Sequence, residues 1–198
     1  METTSTHRTS QPPAGLELVM AFENTYDVDS GQDELATPAQ LADWLAGRAL
    51  LDLDGPAPGE DDLAAVVQFR EAVRALLLAN NGEPLDPLAP ATLNRIAARA
   101  RLRVGFGADG RADLAPAGEG VDGALARLLA HISEAMADGT WARLKVCRED
   151  TCQWAFYDRS KNRSGSWCTM AVCGNRSKAR AYRRRGRAAA ASAPAAGD

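Results

Sequence analysis

Four cysteines, Cys147, Cys152, Cys168 and Cys173, fall within 27 residues in the pattern C-x4-C-x15-C-x4-C, and the rest of the 198-residue chain has none. Zn2+ takes four thiolates in a tetrahedron, and two close cysteine pairs can close on one ion while the chain between them folds back as a hairpin. Such a site leaves no position for water or substrate, so the expected cofactor is one structural Zn2+. Its binding energy, on the order of 10–16 kcal/mol in small zinc modules, becomes folding energy for a segment too short to bury a core of its own. Two disulfides are the competing assignment, but nothing in the chain marks it for export and reducing cytosol disfavours them. A thiol switch built on the same four residues also stays open.

Charge divides the chain at about the same place. Residues 1–142 hold 10 Arg and no Lys against 22 Asp and Glu, a net of −12, whereas residues 143–187 hold 13 Lys and Arg against three acids, a net of +10. The acidic part repels nucleic acid; the basic part is the one able to hold a polyanion. The first 15 residues are rich in Thr, Ser and Pro and lack an apolar stretch. No apolar run approaches the ~20 residues that span a bilayer. The expected setting is the cytoplasm, with no membrane partner.

Hydrophobic period and punctuation predict an α+β chain: a mainly helical domain over 16–138 with one small β-hairpin, then a zinc finger over 141–187, with disordered tails at 1–15 and 188–198. Leu16 to Phe22 reads as a short strand or buried segment. Thr37 caps a helix that has Pro38 in its first turn and Leu41, Trp44 and Leu45 on one face, and Gly47 ends it. A longer helix runs from Glu60 to Asn80, with acids in its first turn and Leu63, Val66, Val67, Arg70, Val73, Arg74, Leu77 and Leu78 at helical spacing. A third spans Ala91 to Ala100. Arg101–Phe106 and Arg111–Ala115 flank a Gly-Ala-Asp-Gly turn as a hairpin. The fourth, Val121 to Ala137, carries Leu125, Leu128, Leu129, Ile132 and Met136 as its core stripe, and His131 sits beside that stripe as an ordinary helix residue. No nucleophile motif, phosphate loop or dinucleotide fingerprint is present, so the chain is not expected to be an enzyme.

In the basic part, Trp141 to Val146 alternates into Cys147 as a strand, Arg148–Thr151 forms a knuckle before Cys152, and Trp154, Phe156 and Tyr157 are expected to supply a small core. Cys168 precedes the last helix and Cys173 lies about one turn into it. That order of knuckle, hairpin and helix is treble-clef-like. On the final helix, Arg176, Arg180, Arg183, Arg184 and Arg187 share one stripe, flanked by Lys178 and Arg185, and the loop before it carries Arg159, Lys161 and Arg163. Guanidinium groups bind phosphate and the guanine edge bidentately, so these residues are the candidate nucleic-acid contacts, with duplex DNA as the leading partner. RNA stays open because Trp154, Phe156, Tyr157 and Trp167 offer stacking faces, two or more of which are expected in the core. A helix that docks on the acidic domain is the plain alternative.

Cys173-Gly174-Asn175-Arg176, with Leu144–Cys147, Trp154–Asn162 and Trp167–Met170 around it, resembles the CGNR zinc-finger family. Asn24-Thr25, Asp33-Glu34-Leu35 and the Pro38–Leu45 segment are similar to the ABATE domain that precedes this finger. The resemblance implies a bacterial, stress-induced transcription regulator, with the four cysteines as zinc ligands. Gly174 is then expected to let the backbone pass close to the metal centre and Asn175 to tether the helix. Arg176 either contacts nucleic acid or braces Asp158. Asn24 and Thr25 either line a ligand pocket or cap a turn. A small-molecule effector in the N-terminal half and a homodimer are the further partners in view.

Overall fold

The computed structural model describes residues 12–52 and 54–191, without the side chains of residues 181 and 186–191. The chain runs α1 (Ala14–Glu23), β1 (Tyr26–Asp27), β2 (Gln32–Asp33), α2 (Pro38–Ala46), α3 (Glu60–Asn80), α4 (Leu88–Ala100), β3 (Leu102–Phe106), β4 (Ala112–Pro116), α5 (Gly120–Asp138), β5 (Leu144–Val146), β6 (Ala155–Tyr157) and α6 (Asn175–Ala191). A 3-10 turn, Trp141–Arg143, precedes β5, and a π-helical turn, Met170–Gly174, precedes α6. The strands form three two-stranded antiparallel sheets: β1 with β2, β3 with β4, β5 with β6.

Most helix signals hold locally. Thr37 Oγ1 accepts the Gln40 N–H at 3.2 Å, as an N-cap should. The Asp62 carboxylate at the start of α3 accepts the Gly59 N–H at 3.0 Å. The exception is the first element. Leu16–Phe22 is helix rather than strand, because Leu16, Val19 and Phe22 are the buried residues, and their spacing closes one helical face. A strand would instead have buried Leu18 and Met20, which are only partly covered. On α5, Met136 is 47% exposed and Ala135 takes the inward place expected of it.

The core is built on α3, whose Val66, Phe69, Val73 and Leu77 are 1% exposed or less. Phe22 meets Phe69 and Trp44 with ring centroids 5.6 and 5.8 Å apart. Each such side chain contributes about 1.5–3 kcal/mol by burial. The same cluster continues into the basic part through Trp141, Leu144, Val146 and Ala155. The residues at the end of α3 secure this junction. Asn80 Nδ2 donates to the carbonyls of Trp141 and Leu144, both at 2.9 Å, and Asn81 Nδ2 to that of Val146 at 2.8 Å. The acidic and basic segments therefore share one hydrophobic core.

α6 continues past Arg187 to Ala191, so the tail expected from residue 188 begins as helix. The expected tail over 1–15 falls mostly outside the described residues, and within it α1 begins at Ala14. Residues 192–198 also lie outside them.

Candidate metal centre and basic helix

β5 delivers Cys147, whose N–H donates to the Trp154 carbonyl at 2.9 Å, and the knuckle closes as the Cys152 N–H reaches the Glu149 carbonyl at 2.8 Å. The second pair comes from the entry to α6. Thr169 caps the π turn with its hydroxyl, and Cys173 lies inside that turn rather than in the α-helix itself. All four sulfurs fall within 4.8 Å of one another. Cys168 Sγ is 3.7 Å from both Cys152 Sγ and Cys173 Sγ. A zinc ion with Zn–S bonds of about 2.3 Å places its tetrahedral corners about 3.8 Å apart, so the donor set fits one Zn2+.

Proton chemistry points the same way. Hydrogen bonding from Cys168, together with nearby N–H groups, holds the Cys147 thiol down at about 5. The bond to that thiolate, followed by burial, pushes Cys168 upward, and burial first of all raises Cys173 to about 12. One thiolate is favoured and further ones are resisted by burial and like charge, which is the situation a dication resolves.

Gly174 is buried at the end of the π turn, next to Cys173. A side chain there would meet Met170 Sδ at 2.7 Å and Trp167 Cδ1 at 3.4 Å, so the turn has no room for a Cβ at this position unless those side chains shift. Asn175 Nδ2 donates to the Ala171 carbonyl at 3.0 Å, tethering α6 to the π turn.

Between the first two ligands, Glu149 is fully enclosed, and its Oε1 accepts the Arg180 guanidinium of α6. Arg176 lies 3.5 Å from Asp29 of the β1–β2 turn and not against Asp158. Asp158 pairs instead with Lys145, whose Nζ donates to its Oδ2 at 2.8 Å and to the carbonyls of Arg163 and Gly165 at 2.6 and 3.1 Å. Burial works against the Asp158 charge, but the Lys145 bond and those from Ser160 and Gly165 outweigh it and bring its pKa to about 2. The loop carrying Arg159, Lys161 and Arg163 is thus wrapped around a buried ion pair, and all three of those side chains are exposed.

The arginine stripe is consequently split. Arg176 and Arg180 turn back to acids of the body, whereas Lys178 between them, and Arg183, Arg184 and Arg185 further out along the helix, are exposed. The Arg187 side chain lies outside the described residues. A cleft of about 660 Å3 follows the inner face of α6, with Arg176, Arg180 and Arg183 on the helix and Thr151 on the knuckle.

Asn24 and Thr25 have structural partners. Asn24 pairs with the backbone of Ala155 and also edges a groove beside the finger. Thr25 is 1% exposed; its hydroxyl donates to the Phe22 carbonyl at 2.7 Å and accepts from Arg70 at 2.9 Å. Of the aromatic residues expected in the finger core, Tyr157 packs partly buried against the shared core, whereas Trp154 and Phe156 do not. Trp154 is 40% exposed, and Phe156, Tyr157 and Trp167 are half-buried, because Ala155 is the residue of β6 that faces the shared core. Asn80, Asn81, Lys145 and Glu149 were not legible as site residues, since each draws its role from partners distant in sequence.

No helix among the described residues is long and apolar enough to cross a membrane. No curated protein matches the chain. Residues 143–186 match the CGNR zinc finger, the family whose four clustered cysteines supply the site for one zinc ion. Residues 16–139 match ABATE, described as "Putative stress-induced transcription regulator". With that match covering more than half its length and the finger following it, the chain belongs to the ABATE family, in the arrangement that ends in a CGNR zinc finger.

Proposed function

We propose that this zinc-finger regulatory protein is a cytoplasmic, DNA-binding transcription regulator and not an enzyme, with α6 as its reading element. The observation that carries this is the outer part of α6. Arg183, Arg184 and Arg185 are exposed there, with no acidic partner among the described residues, on a helix whose first two turns are braced by Arg176 and Arg180. A braced helix root with a free cationic end presents its charges at a defined angle to a phosphate backbone or a major groove. The zinc is structural, since four thiolates leave it no open position. The acidic remainder of the chain repels the polyanion, which confines contact to this face.

The test is fluorescence anisotropy of the zinc-loaded protein on a duplex from upstream of its own gene and on a scrambled duplex, across salt. About six phosphate contacts give a slope near −5 in log affinity against log salt. A specific regulator prefers the upstream duplex by about 10³-fold or more. Replacing Arg183, Arg184 and Arg185 with Ala should flatten the slope by about one for each phosphate no longer neutralised. Equal binding to both duplexes with preference for single-stranded RNA would transfer the reading to RNA, and no binding at low salt would end it.

A further inference from the structure

Along the seam between α1 and the finger runs a groove of about 490 Å3. Its finger wall presents Trp154, Phe156, Tyr157 and Trp167, and Met20 of α1 closes the other side. Tyr157 packs partly against the shared core, but Trp154, Phe156 and Trp167 are left partly open to water outside it, where Leu144, Val146 and Ala155 are the buried residues. The groove's charge is also unbalanced. The Asp158 carboxylate is consumed by Lys145 and by the N–H groups of Ser160 and Gly165, at 2.8 to 2.9 Å. Arg159, 5.4 Å from the Tyr157 ring centroid, has no ion-pair partner among the described residues.

We propose that this groove is a binding site for a small planar aromatic anion, its ring stacked among the Trp154, Phe156 and Trp167 faces and its acidic group on Arg159. The volume is that of an ordinary ligand site, and such sites favour the seams between structural units. Aromatic walls supply stacking, and a guanidinium gives a carboxylate or sulfonate a directed, charge-assisted contact. A nucleic-acid strand is the weaker occupant, because following a backbone takes several cations and, among the described residues, the groove's lining has one, Arg159. Cys168 and Thr169 also line the groove, so an occupant touches a zinc ligand and the cap of the turn that launches α6. The site stands whether or not α6 binds DNA.

The probes are 1-anilinonaphthalene-8-sulfonate, followed by its own emission and by tryptophan quenching, and naphthalene-2-carboxylate as competitor, on the full zinc-loaded chain. One saturable site is expected, with competition by the carboxylate and not by 2-naphthylmethanol, its uncharged counterpart. Arg159→Gln and Trp154→Ala should each weaken binding by about tenfold or more, with zinc content and far-UV circular dichroism unchanged. Phe106→Ser, which removes the most exposed ring on the β3–β4 hairpin, should leave binding intact. Unchanged affinity in Arg159→Gln, loss in Phe106→Ser, or displacement by oligothymidylate but not by naphthalene-2-carboxylate would overturn the assignment.

Discussion

Asn24 and Ala155, 131 positions apart, form a two-way pair: the Asn24 side chain accepts the Ala155 N–H at 2.7 Å and donates to the Ala155 carbonyl at 3.1 Å. The amide thereby takes the place of a neighbouring strand on β6 and ties the end of α1 to the finger. Asn24→Ala leaves both backbone groups without this partner, a loss of about 1–3 kcal/mol. In a chain of this size that corresponds to a melting temperature lower by about 3–10 °C. Calorimetry and zinc analysis together check it, because the metal should stay bound.

Zinc removal should act unevenly. The ligand loops depend on the metal, whereas Leu144, Val146 and Ala155 sit in the shared core at 1% exposure or less. After chelation, hydrogen exchange should accelerate across 147–154 and 166–174, while the amides of β5 stay protected by the β5–β6 pairing, which α3 holds in place through packing and the Asn80 and Asn81 bonds to the strand's carbonyls. Uniform loss of protection from 141 onward would mean that the metal holds the strands as well.

Glu149 is enclosed among the zinc ligands and holds Arg180, so it sets the direction in which α6 leaves the body. Glu149→Ala raises the net charge by one, which on electrostatics alone would strengthen binding to DNA. On the proposed function it should weaken binding by about tenfold, or 1.4 kcal/mol, since the helix loses its brace, and Glu149→Gln should recover part of the loss by keeping one hydrogen bond. Anisotropy at fixed salt separates the two outcomes by sign.

Glu23 is fully buried with both carboxylate oxygens unpartnered, and the nearest cation, Arg74, stops 3.8 Å away while donating to the Glu23 backbone carbonyl. Burial raises its pKa from 4.5 to about 8, with Arg74 offsetting only part of the effect. A carboxyl whose folded pKa is raised binds its proton more tightly when folded, so its contribution is fully present below about pH 4.5 and is lost as pH climbs towards 8. Glu23→Gln should melt higher than the parent at pH 8, with a smaller difference at pH 5, since each tenfold change in proton affinity between the folded and unfolded chain corresponds to about 1.4 kcal/mol. A pH-independent difference would assign the effect to packing.

Legibility followed the range of the interaction. The α2, α3 and α5 helices and the β3–β4 hairpin were visible because a cap, a proline, a glycine or a run of spaced leucines acts within a few residues. Leu16 to Phe22 was ambiguous, because alternate positions and every third position are both apolar, and only the surface it packs on selects between strand and helix. The arginine stripe was correctly periodic, but periodicity says nothing of Asp29 and Glu149, which claim its first two members.

By itself the sequence determined the four candidate metal ligands, the α+β composition and the separation of charge, since each depends on residue type and spacing along a contiguous stretch: four cysteines within 27 residues, apolar period, and the sign of side chains. The tertiary structure alone decided that the acidic and basic halves share one core, that Asn24 and Thr25 are structural partners, and that the finger's aromatic rings face a groove. Those outcomes depend on contacts between residues far apart in the chain, such as Asn24 with Ala155 and Asn81 with Val146, whose pairing no local pattern encodes.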